Sequence, residues 1–377
     1  MGKSLLGFTT CIAVLFLTGC QRSPGRDPIF IGHLAPFSGP EKQIGEHARQ
    51  AITLAVEEIN KEGNRILGRP INVLHPEFPP GDADKLQPVA LRLVDVNRVA
   101  ALLGGTELAE VGALERAAQP HEVPLVVFAG LPPEAVGENV FSVTAGLAFE
   151  AQTLAQYAKQ ELKTERIALL VDTRKTSYTT LAALFDKEFS KSGPTHEFTY
   201  NAASEFPDLV ERVKKAQPNA VLHAGAISDL GPIRRKLESA GIKIPILFGG
   251  EINLLDANRD ASNGVYVASP YVVNDSAKEN AEFAKKYKER FNQSPDVNAA
   301  LAYDAMQVLF EAMRRAQSVE RAKIDAALKE MATTPFDKSL SGAWTFDKSH
   351  AARRPLYVGK VEDGKLAVFK TYTQEQK

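Results

Sequence analysis

A strand, a helix and a second strand are predicted from residues 29–75, IFIGHLAPFSGPEKQIGEHARQAITLAVEEINKEGNRILGRPINVLH. The apolar stretch 29–35 is typical of a buried strand and ends at the turn-forming residues 36–40, PFSGP. A second apolar stretch, 70–75, has the length of another strand. Between the two strands, apolar residues recur at the spacing of one helical face, at Ala48, Ala51, Ile52, Ala55 and Ile59. This order of elements is the unit from which parallel α/β sheets are built.

The same alternation continues along the rest of the chain. After residue 145 it starts again, with a helix and then a strand at 167–171, so we predict an α/β fold of two doubly wound lobes. Asp363-Gly364 predicts a hairpin turn in a β-rich tail. The pattern alone assigns neither that tail nor the helices within 277–331 to a lobe. Short apolar segments typical of strands buried on both faces occur at 99–103, 125–128 and 140–143.

The first residues resemble the signal sequence of a bacterial lipoprotein. Lys3 precedes an apolar stretch, and Leu17-Thr18-Gly19-Cys20 resembles a lipobox, in which the cysteine is acylated and becomes the new N-terminus. We expect residues 1–19 to be a signal peptide and residues 20–27 to be a tether, which places the protein in the periplasm on a lipid anchor. The alternative is a buried apolar helix that ends in a cysteine. Inner-membrane lipoproteins resemble one another in having Asp after the acylated cysteine, so Gln21 favours the outer membrane.

Composition argues against several classes of function. The net charge of −1 provides no electrostatic field for binding nucleic acid. Cleavage before Cys20 would remove Cys11, and a single lipidated cysteine can form neither a disulfide framework nor a thiolate metal site. The seven histidines are scattered without the spacing of a zinc or iron site. Because the nucleophile-elbow, zinc-protease, phosphate-loop and dinucleotide motifs are also absent from the sequence, we expect no metal, no cofactor and no enzymatic activity.

Candidate binding residues lie in the loops that follow the predicted strands. In an open parallel sheet, ligands bind beyond the C-terminal ends of the strands. Glycines in such loops allow the backbone to approach a ligand closely. The loops concerned are 37–39, 104–107, 129–131, 172–178, 225–227 and 249–251.

Two of these loops suggest specific chemistry. Gly104-Gly105-Thr106 precedes a helix, and amides there could hold an anion such as a carboxylate, although an ordinary strand-to-helix turn has the same composition. Glu251 follows two glycines and could pair with an ammonium group, although a loop glutamate is usually solvated. The residues alone leave both alternatives open.

An ordered series of short motifs resembles the type I periplasmic binding proteins, in particular the Leu/Ile/Val-binding family of ABC transporters. Residues 32–39 are similar to the opening motif of that family, and residues 51–71 are similar to its first helix and the segment that follows. The resemblance extends from residue 32 to residue 365, which is nearly all of the chain after the signal. Further matches follow in the order of the family at Leu103-Gly104, Val123-Pro124, 263–267, 302–305, 342–346 and 363–365.

The resemblance implies a fold and a biological role. Three crossovers would join two Rossmann-like lobes, with residues 28–145 and 270–341 in the first lobe and residues 146–269 and 342–377 in the second. A small molecule would bind between the lobes, which would close by a hinge motion. The closed monomer would then dock on an ABC permease, while the lipid at Cys20 holds it at the membrane.

The resemblance also implies which side chains form the site, and here the chain departs from the family. In an ungapped comparison, Leu108 stands where amino-acid binders use a serine for the α-carboxylate, and Leu131 stands where they use a threonine. Glu251 matches the acid that holds the α-ammonium, Tyr178 falls near a cleft tyrosine, and Ala226 stands in place of a common aromatic. The full candidate set is Phe37, Ser38, Thr106, Glu107, Leu108, Ala129, Gly130, Leu131, Tyr178, Ala226 and Glu251.

Losing two hydroxyl groups changes the expected ligand. Each hydrogen bond to a charged group contributes about 1.5–3 kcal/mol, so the affinity for an amino acid should fall with each lost hydroxyl. Amides near Thr106, or Thr106 itself, could replace the lost donors. We therefore expect a solute other than Leu, Ile or Val, such as a less polar acid, an amine or an unusual amino acid. The alternative function is a non-transport interaction lipoprotein, similar to the outer-membrane proteins that activate cell-wall synthases on this fold.

Overall fold

The structure, a computed structural model, describes residues 27–39, 41–61, 63, 65–78, 82–134, 137–250, 258–273 and 277–374. The predicted signal and the anchor at Cys20 lie outside these residues. Strand and helix alternate in the first part of the chain. The elements are β1 (Ile29–Leu34), α1 (Lys42–Ile59), β2 (Ile71–Leu74), α2 (Ala83–Asp95), β3 (Ala101–Gly104), α3 (Leu108–Ala118), β4 (Leu125–Val127) and β5 (Val140–Ser142).

The alternation starts again after β5 and ends in a group of helices and a hairpin. In the part of the chain that the structure describes, no helix has both the length and the apolar character needed to span a bilayer. The elements are α4 (Leu147–Gln160), β6 (Ile167–Asp172), α5 (Thr176–Phe189), β7 (Thr195–Tyr200), α6 (Phe206–Ala216), β8 (Ala220–Ala224), α7 (Ile227–Ser239), β9 (Ile246–Phe248), α8 (Arg259–Ser262), β10 (Tyr266–Ser269), α9 (Lys278–Phe291), α10 (Val297–Ala316), α11 (Arg321–Glu330), β11 (Leu356–Glu362) and β12 (Lys365–Tyr372).

Two separate sheets form the centres of two lobes. The first sheet is parallel, with five strands in the order β2-β1-β3-β4-β5. The second has seven strands in the order β12-β11-β10-β9-β8-β6-β7, and β11 runs antiparallel to both of its neighbours. Asp363 and Gly364, with φ of 51° and 75°, form the turn between β11 and β12, as a two-residue hairpin of the primed type requires. The doubly wound α/β fold predicted from the alternation is confirmed.

Each sheet is covered by helices on both faces. In the first lobe, α1 and α10 pack on one face, and α2 and α3 pack on the other. In the second lobe, α4 and α5 cover one face, and α6 and α7 cover the other. Strands between two helical layers have no solvent-facing side, which explains why β3, β4 and β8 are almost continuously apolar.

The chain passes between the lobes after β5, after β10 and before β11. The last of these crossings lies later in the chain than residues 341/342, where the family resemblance placed the boundary between the lobes. Trp344 and Phe346 are buried in the core of the first lobe, and Ala351 pairs with Ser142 of β5. Residues 342–352 therefore extend the first lobe, because their apolar side chains complete its core, and the second lobe resumes with β11.

Candidate functional site

A cavity of about 130 Å³ lies between the lobes, at the C-terminal ends of the strands of both sheets. The first lobe contributes Glu41, Ile44, Thr106, Glu107, Leu108, Phe128, Ala129, Gly130, Val297, Asn298 and Leu301. The second lobe contributes Leu147, Glu150, Ser177, Tyr178, Leu181, Gly249, Gly250, Ala268 and Leu356, and the crossovers add Thr144, Ala145 and Pro270. A molecule in this cavity would contact both lobes at once.

Gly104 allows the loop after β3 to turn into the cavity wall. Its φ is 132°, a conformation that residues with a side chain rarely adopt. A Cβ at this position would lie 2.0 Å from the carbonyl oxygen of Leu34 in β1. The glycine is therefore required by the close approach of β1 and β3, and this approach sets the position of Thr106 and Glu107.

The polar groups of Thr106, just before α3, are engaged by a carboxylate of the chain itself. Glu110 Oε2 accepts hydrogen bonds from the backbone N–H of Thr106 (2.9 Å) and from its hydroxyl (3.1 Å). Negative charge is favoured at a helix N-terminus, where backbone N–H groups lack partners within the helix. Burial raises the pKa of Glu110, although the hydrogen bonds from Thr106 oppose that shift. The Thr106 donors that we expected to hold a carboxylate of the ligand thus hold Glu110.

An ion pair joins the lobes at the edge of the cavity. Lys175, which precedes α5 in the second lobe, lies with its Nζ 3.0 Å from Glu107 Oε1 and 3.7 Å from Glu41 Oε1, both in the first lobe. The hydroxyl of Ser177 donates to Glu107 Oε2 at 3.0 Å. We call Lys175, Ser177, Glu107 and Glu41 the inter-lobe clamp. Because its members come from opposite lobes, the structure represents a closed form of the cleft.

The carboxylate of Glu150 also lines the cavity and, unlike those of Glu107 and Glu110, is not paired by described residues. It lies in the first turn of α4, is mostly buried and lines the cavity beside Leu147. Among the described residues, no donor or cation lies within bonding distance of its carboxylate. Burial raises the pKa of Glu150 to about 7. The side chain therefore exchanges a proton in the neutral pH range.

Much of the remaining cavity wall is apolar, although Thr144, Tyr178 and Asn298 also line it. Phe128 and Leu301 face it from the first lobe, and Leu181 and Leu356 face it from the second. Contact with apolar surface contributes about 25 cal/mol for each Å² removed from water. A solute with an apolar body would therefore favour the closed arrangement of the lobes over the open one.

The predicted site residues divide into three groups. Leu131 is buried in the core of the first lobe, Ala226 precedes α7, and Phe37 packs its ring near His33, while Ser38 is exposed. These residues do not line the cavity. Glu251 lies outside the described residues. Those that line the cavity are Thr106, Glu107, Leu108, Ala129, Gly130 and Tyr178.

Glu150 is one of several cavity residues, such as Glu41 and Leu147, that the sequence did not identify. It stands three positions after Leu147 and four before Leu154, and both leucines are buried. Residues at these spacings share one face of a helix. A glutamate on the apolar face of α4 was therefore the signal that could have identified it.

The described residues hold no group of three or more His, Cys, Asp or Glu side chains placed to bind a metal ion. The charged groups of the cavity are carboxylates and the clamp lysine. What the cavity offers a small molecule is enclosure, apolar contact and negative charge.

Replacing Lys175 by methionine should shift the lobes toward an open form. An ion pair that is partly exposed contributes about 0.2–1 kcal/mol, so the ratio of closed to open molecules should fall by up to about fivefold. Small-angle X-ray scattering would report this change as a larger radius of gyration. The difference from wild type should shrink at about 500 mM salt, because salt screens such pairs.

A matched control for this experiment is Lys214→Met. Lys214 is an exposed lysine at the end of α6, so its loss should leave the radius of gyration unchanged. Equal radii for wild type and Lys175→Met at low salt would show that the inter-lobe clamp does not hold the lobes together.

Comparisons with known proteins place the chain among two-lobed binding proteins. A relative from Brucella abortus (strain 2308), described as Leu/Ile/Val-binding protein homolog 7, is 24% identical over 374 residues, covering 91% of this chain and 92% of that protein. A leucine binding protein, LivK, from Thermotoga maritima has a similar structure, with a TM-score of 0.82 at 22% identity over 92% of this chain and 99% of that one. A solute binding protein from Rhodopseudomonas palustris BisB5, solved in complex with 3,4-dihydroxy benzoic acid, has a TM-score of 0.76 at 22% identity, over 93% and 98% of the chains.

A profile of one family covers most of the chain. The profile, described as periplasmic binding protein, matches residues 28–365. This range includes every strand of both sheets except β12, all three crossings between the lobes and every described residue that lines the cavity. The resemblance read from the ordered motifs is confirmed, and the chain belongs to the periplasmic binding protein family, in its type I form.

Proposed function

We propose that this protein captures a small molecule between its lobes and delivers it to an ABC importer, while anchored to the membrane through a lipid at Cys20. The observation that carries the proposal is the cavity between the lobes, whose walls come from both lobes and whose edge carries the inter-lobe clamp. Contacts from both lobes stabilise only the closed form, so a bound solute would shift the lobes toward it. A permease can distinguish the loaded protein by this closed shape.

The relatives support a solute-binding role rather than an enzymatic one. The family and the fold are those of solute-binding proteins. Two of the similar proteins are described by the solutes they bind, which are leucine and 3,4-dihydroxy benzoic acid. Both are small molecules that combine an apolar body with charged or polar groups. We propose a solute of the same size for this chain.

The lipid anchor rests on the sequence alone. Leu17-Thr18-Gly19-Cys20 supports acylation of Cys20, and Gln21 supports the outer membrane. An inner-membrane anchor would keep the cleft beside an importer, whereas an outer-membrane anchor, which Gln21 favours, would suit the non-transport alternative better.

A ligand screen tests the proposal. We expect one class of solute to raise the melting temperature of the full chain, purified in mild detergent and refolded to remove any bound molecule. A solute at 100 times its Kd adds about 2.7 kcal/mol to the folded state, which raises the melting temperature of a chain of this length by about 3–4 °C. The panel contains amino acids, aromatic and aliphatic acids, amides, amines and polyamines.

The screen also has a clear negative result. If no compound shifts the melting temperature and a protein partner is captured instead, the transport proposal is wrong. The non-transport interaction lipoprotein would then be the better interpretation.

A further inference from the structure

We propose that the solute is an organic cation, a primary amine with a compact apolar body, and that the carboxylate of Glu150 is its counter-ion. This inference rests on the proposed function, because it names the class of solute that the same cleft takes. Four features support it: the unpaired acid of α4, the engaged donors of Thr106, the charge of the cavity and its volume.

The position of Glu150 suits a role in binding a ligand rather than in stabilising the fold. Its carboxylate faces the cavity, and the described part of the chain provides it with no donor or cation. A buried carboxylate without a partner is unfavourable, so protein interiors normally pair such groups. An ammonium group in the cavity would supply the missing partner and form a charge-assisted hydrogen bond.

The two donors of Thr106, just before α3, are not available to an acidic solute. Glu110 already takes the backbone N–H and the hydroxyl of Thr106. A ligand carboxylate at the same place would lie against the carboxylate of Glu110, and like charges at this distance repel. The chain has therefore engaged with its own acid the two Thr106 donors that could otherwise receive a ligand carboxylate.

The charge of the cavity also favours a cation. The residues that line it include Glu41, Glu107 and Glu150, whereas none of the lining residues that the structure describes is a lysine, arginine or histidine. The nearby Lys175 is engaged by Glu107 and Glu41 in the inter-lobe clamp. An anionic solute would thus enter a negative cavity without a counter-ion of its own.

The cavity volume limits the apolar body. At about 130 Å³ it is slightly smaller than an engineered apolar cavity of roughly 150 Å³ that binds benzene. Phe128 and Leu301 on one side and Leu147 on the other provide apolar contact. Benzylamine and 3-methylbutylamine match this size, with one ammonium group and a ring or a branched chain.

Proton exchange at Glu150 gives the interaction a pH dependence of known sign. Burial raises the pKa of Glu150 to about 7, so most molecules carry a neutral side chain at pH 6 and a charged one at pH 8. Affinity for an amine should therefore rise about tenfold between these two pH values. A solute whose own carboxylate shared the proton of Glu150 would show the opposite slope.

In the described part of the chain, few other titratable groups face the cavity around Glu150. β10 and β11, which also pack on α4, present only Ala268 and Leu356 to the cavity among the described residues. α10 presents Val297, Asn298 and Leu301. The other titratable groups around the cavity are Glu41, Glu107 and Tyr178, with Lys175 at its edge.

The test uses pairs of compounds that differ only in the sign of their charge. Benzylamine is compared with benzoate, and 3-methylbutylamine with 3-methylbutanoate, by titration calorimetry on the full chain in detergent at pH 8 and pH 6. We expect the amines to bind and the acids not to bind. Glu150→Gln should weaken amine binding at pH 8 by about 10- to 100-fold, because a hydrogen bond to a charged group is lost, and should remove the pH dependence.

Glu165→Gln is the matched control. Glu165 is an exposed glutamate of the same lobe, away from the cavity, so this change removes the same charge without touching the site. Its affinity for the amines should equal that of wild type. Circular dichroism of Glu150→Gln should match wild type, which separates a binding defect from a folding defect.

The remaining outcomes overturn the inference in distinguishable ways. If the acids bind and the amines do not, the solute class is wrong while the proposed function stands. If amines bind equally to wild type and Glu150→Gln, the role of Glu150 is wrong. If no compound of either charge binds, and the wider panel is also silent, the proposed function fails and the inference fails with it.

Discussion

Replacing Arg354 by methionine should lower the free energy of unfolding by about 3–5 kcal/mol. Arg354 and Asp304 are both fully buried, and Nη1 of the arginine lies 3.1 Å from Oδ2 of the aspartate. Asp304 also accepts hydrogen bonds from the hydroxyl of Ser339 and the backbone N–H of Leu340, each at 3.0 Å. Without the guanidinium, Asp304 would be a buried charge with no cation, and its lost hydration would no longer be offset.

The same arginine holds the crossings between the lobes in register. Asp304 belongs to α10 of the first lobe, whereas Arg354 lies just before β11, where the chain enters the second. Nη1 also donates to the carbonyl oxygen of Val143, which follows β5, at 2.8 Å. One guanidinium thus ties the first and third crossings to α10, so its loss should affect the hinge as well as the core.

Urea unfolding of the single and double variants measures this effect. Combining Arg354→Met with Asp304→Leu should recover most of the lost stability, because an apolar pair leaves no buried charge. As a control, Lys370→Met breaks an exposed ion pair with Glu161 and should leave the unfolding midpoint nearly unchanged. A loss below about 1 kcal/mol in Arg354→Met would contradict the argument, since breaking a buried pair costs several times more.

Most of the fold could be predicted because its signals are local. The apolar spacing of α1 and the short apolar strands β3 and β4 follow directly from burial between two helical layers. Asp363-Gly364 identified the hairpin because few residues adopt two successive positive φ angles. Such features need no knowledge of what they pack against.

The position of the last crossing, between residue 352 and β11 rather than at 341/342, could not be predicted in this way. Trp344 and Phe346 have the alternation of an extended segment, and nothing in their spacing indicates which core they enter. Their partners, such as Phe336 and Phe141, lie elsewhere in the chain. Membership of a lobe is a long-range property, and it became visible only through packing.

The candidate site shows the same division between local and long-range information. The loops after the strands identified Thr106, Glu107 and Tyr178, because the sheet topology places strand ends at the cleft. Leu131 follows the same rule in sequence, but its side chain turns into the core. The capture of Thr106 by Glu110 depends on a side-chain rotation that no spacing rule describes.

Glu150→Gln should make the protein more stable at pH 8, by about 1–3 kcal/mol, and leave its stability at pH 4 unchanged. The native pKa is raised to about 7 from an ordinary value of 4.5. Below pH 4.5 the carboxyl is protonated in both the folded and the unfolded chain and contributes no difference. Between pH 4.5 and 7 the unfolded chain loses this proton first, so the wild type loses stability as the pH rises, and glutamine does not.

Melting temperatures at pH 4, 6 and 8 would check this prediction, with Glu165→Gln as the control. The difference between Glu150→Gln and wild type should grow with pH, whereas the exposed control should show no such trend. A variant less stable than wild type at pH 8 would mean that Glu150 supports the fold through a partner. If Glu150→Gln is more stable than wild type and no longer binds amines, both results support Glu150 as a binding residue. Such a residue lowers the stability of the ligand-free protein and raises that of the complex. Binding sites tolerate this local loss of stability, whereas the rest of a fold does not.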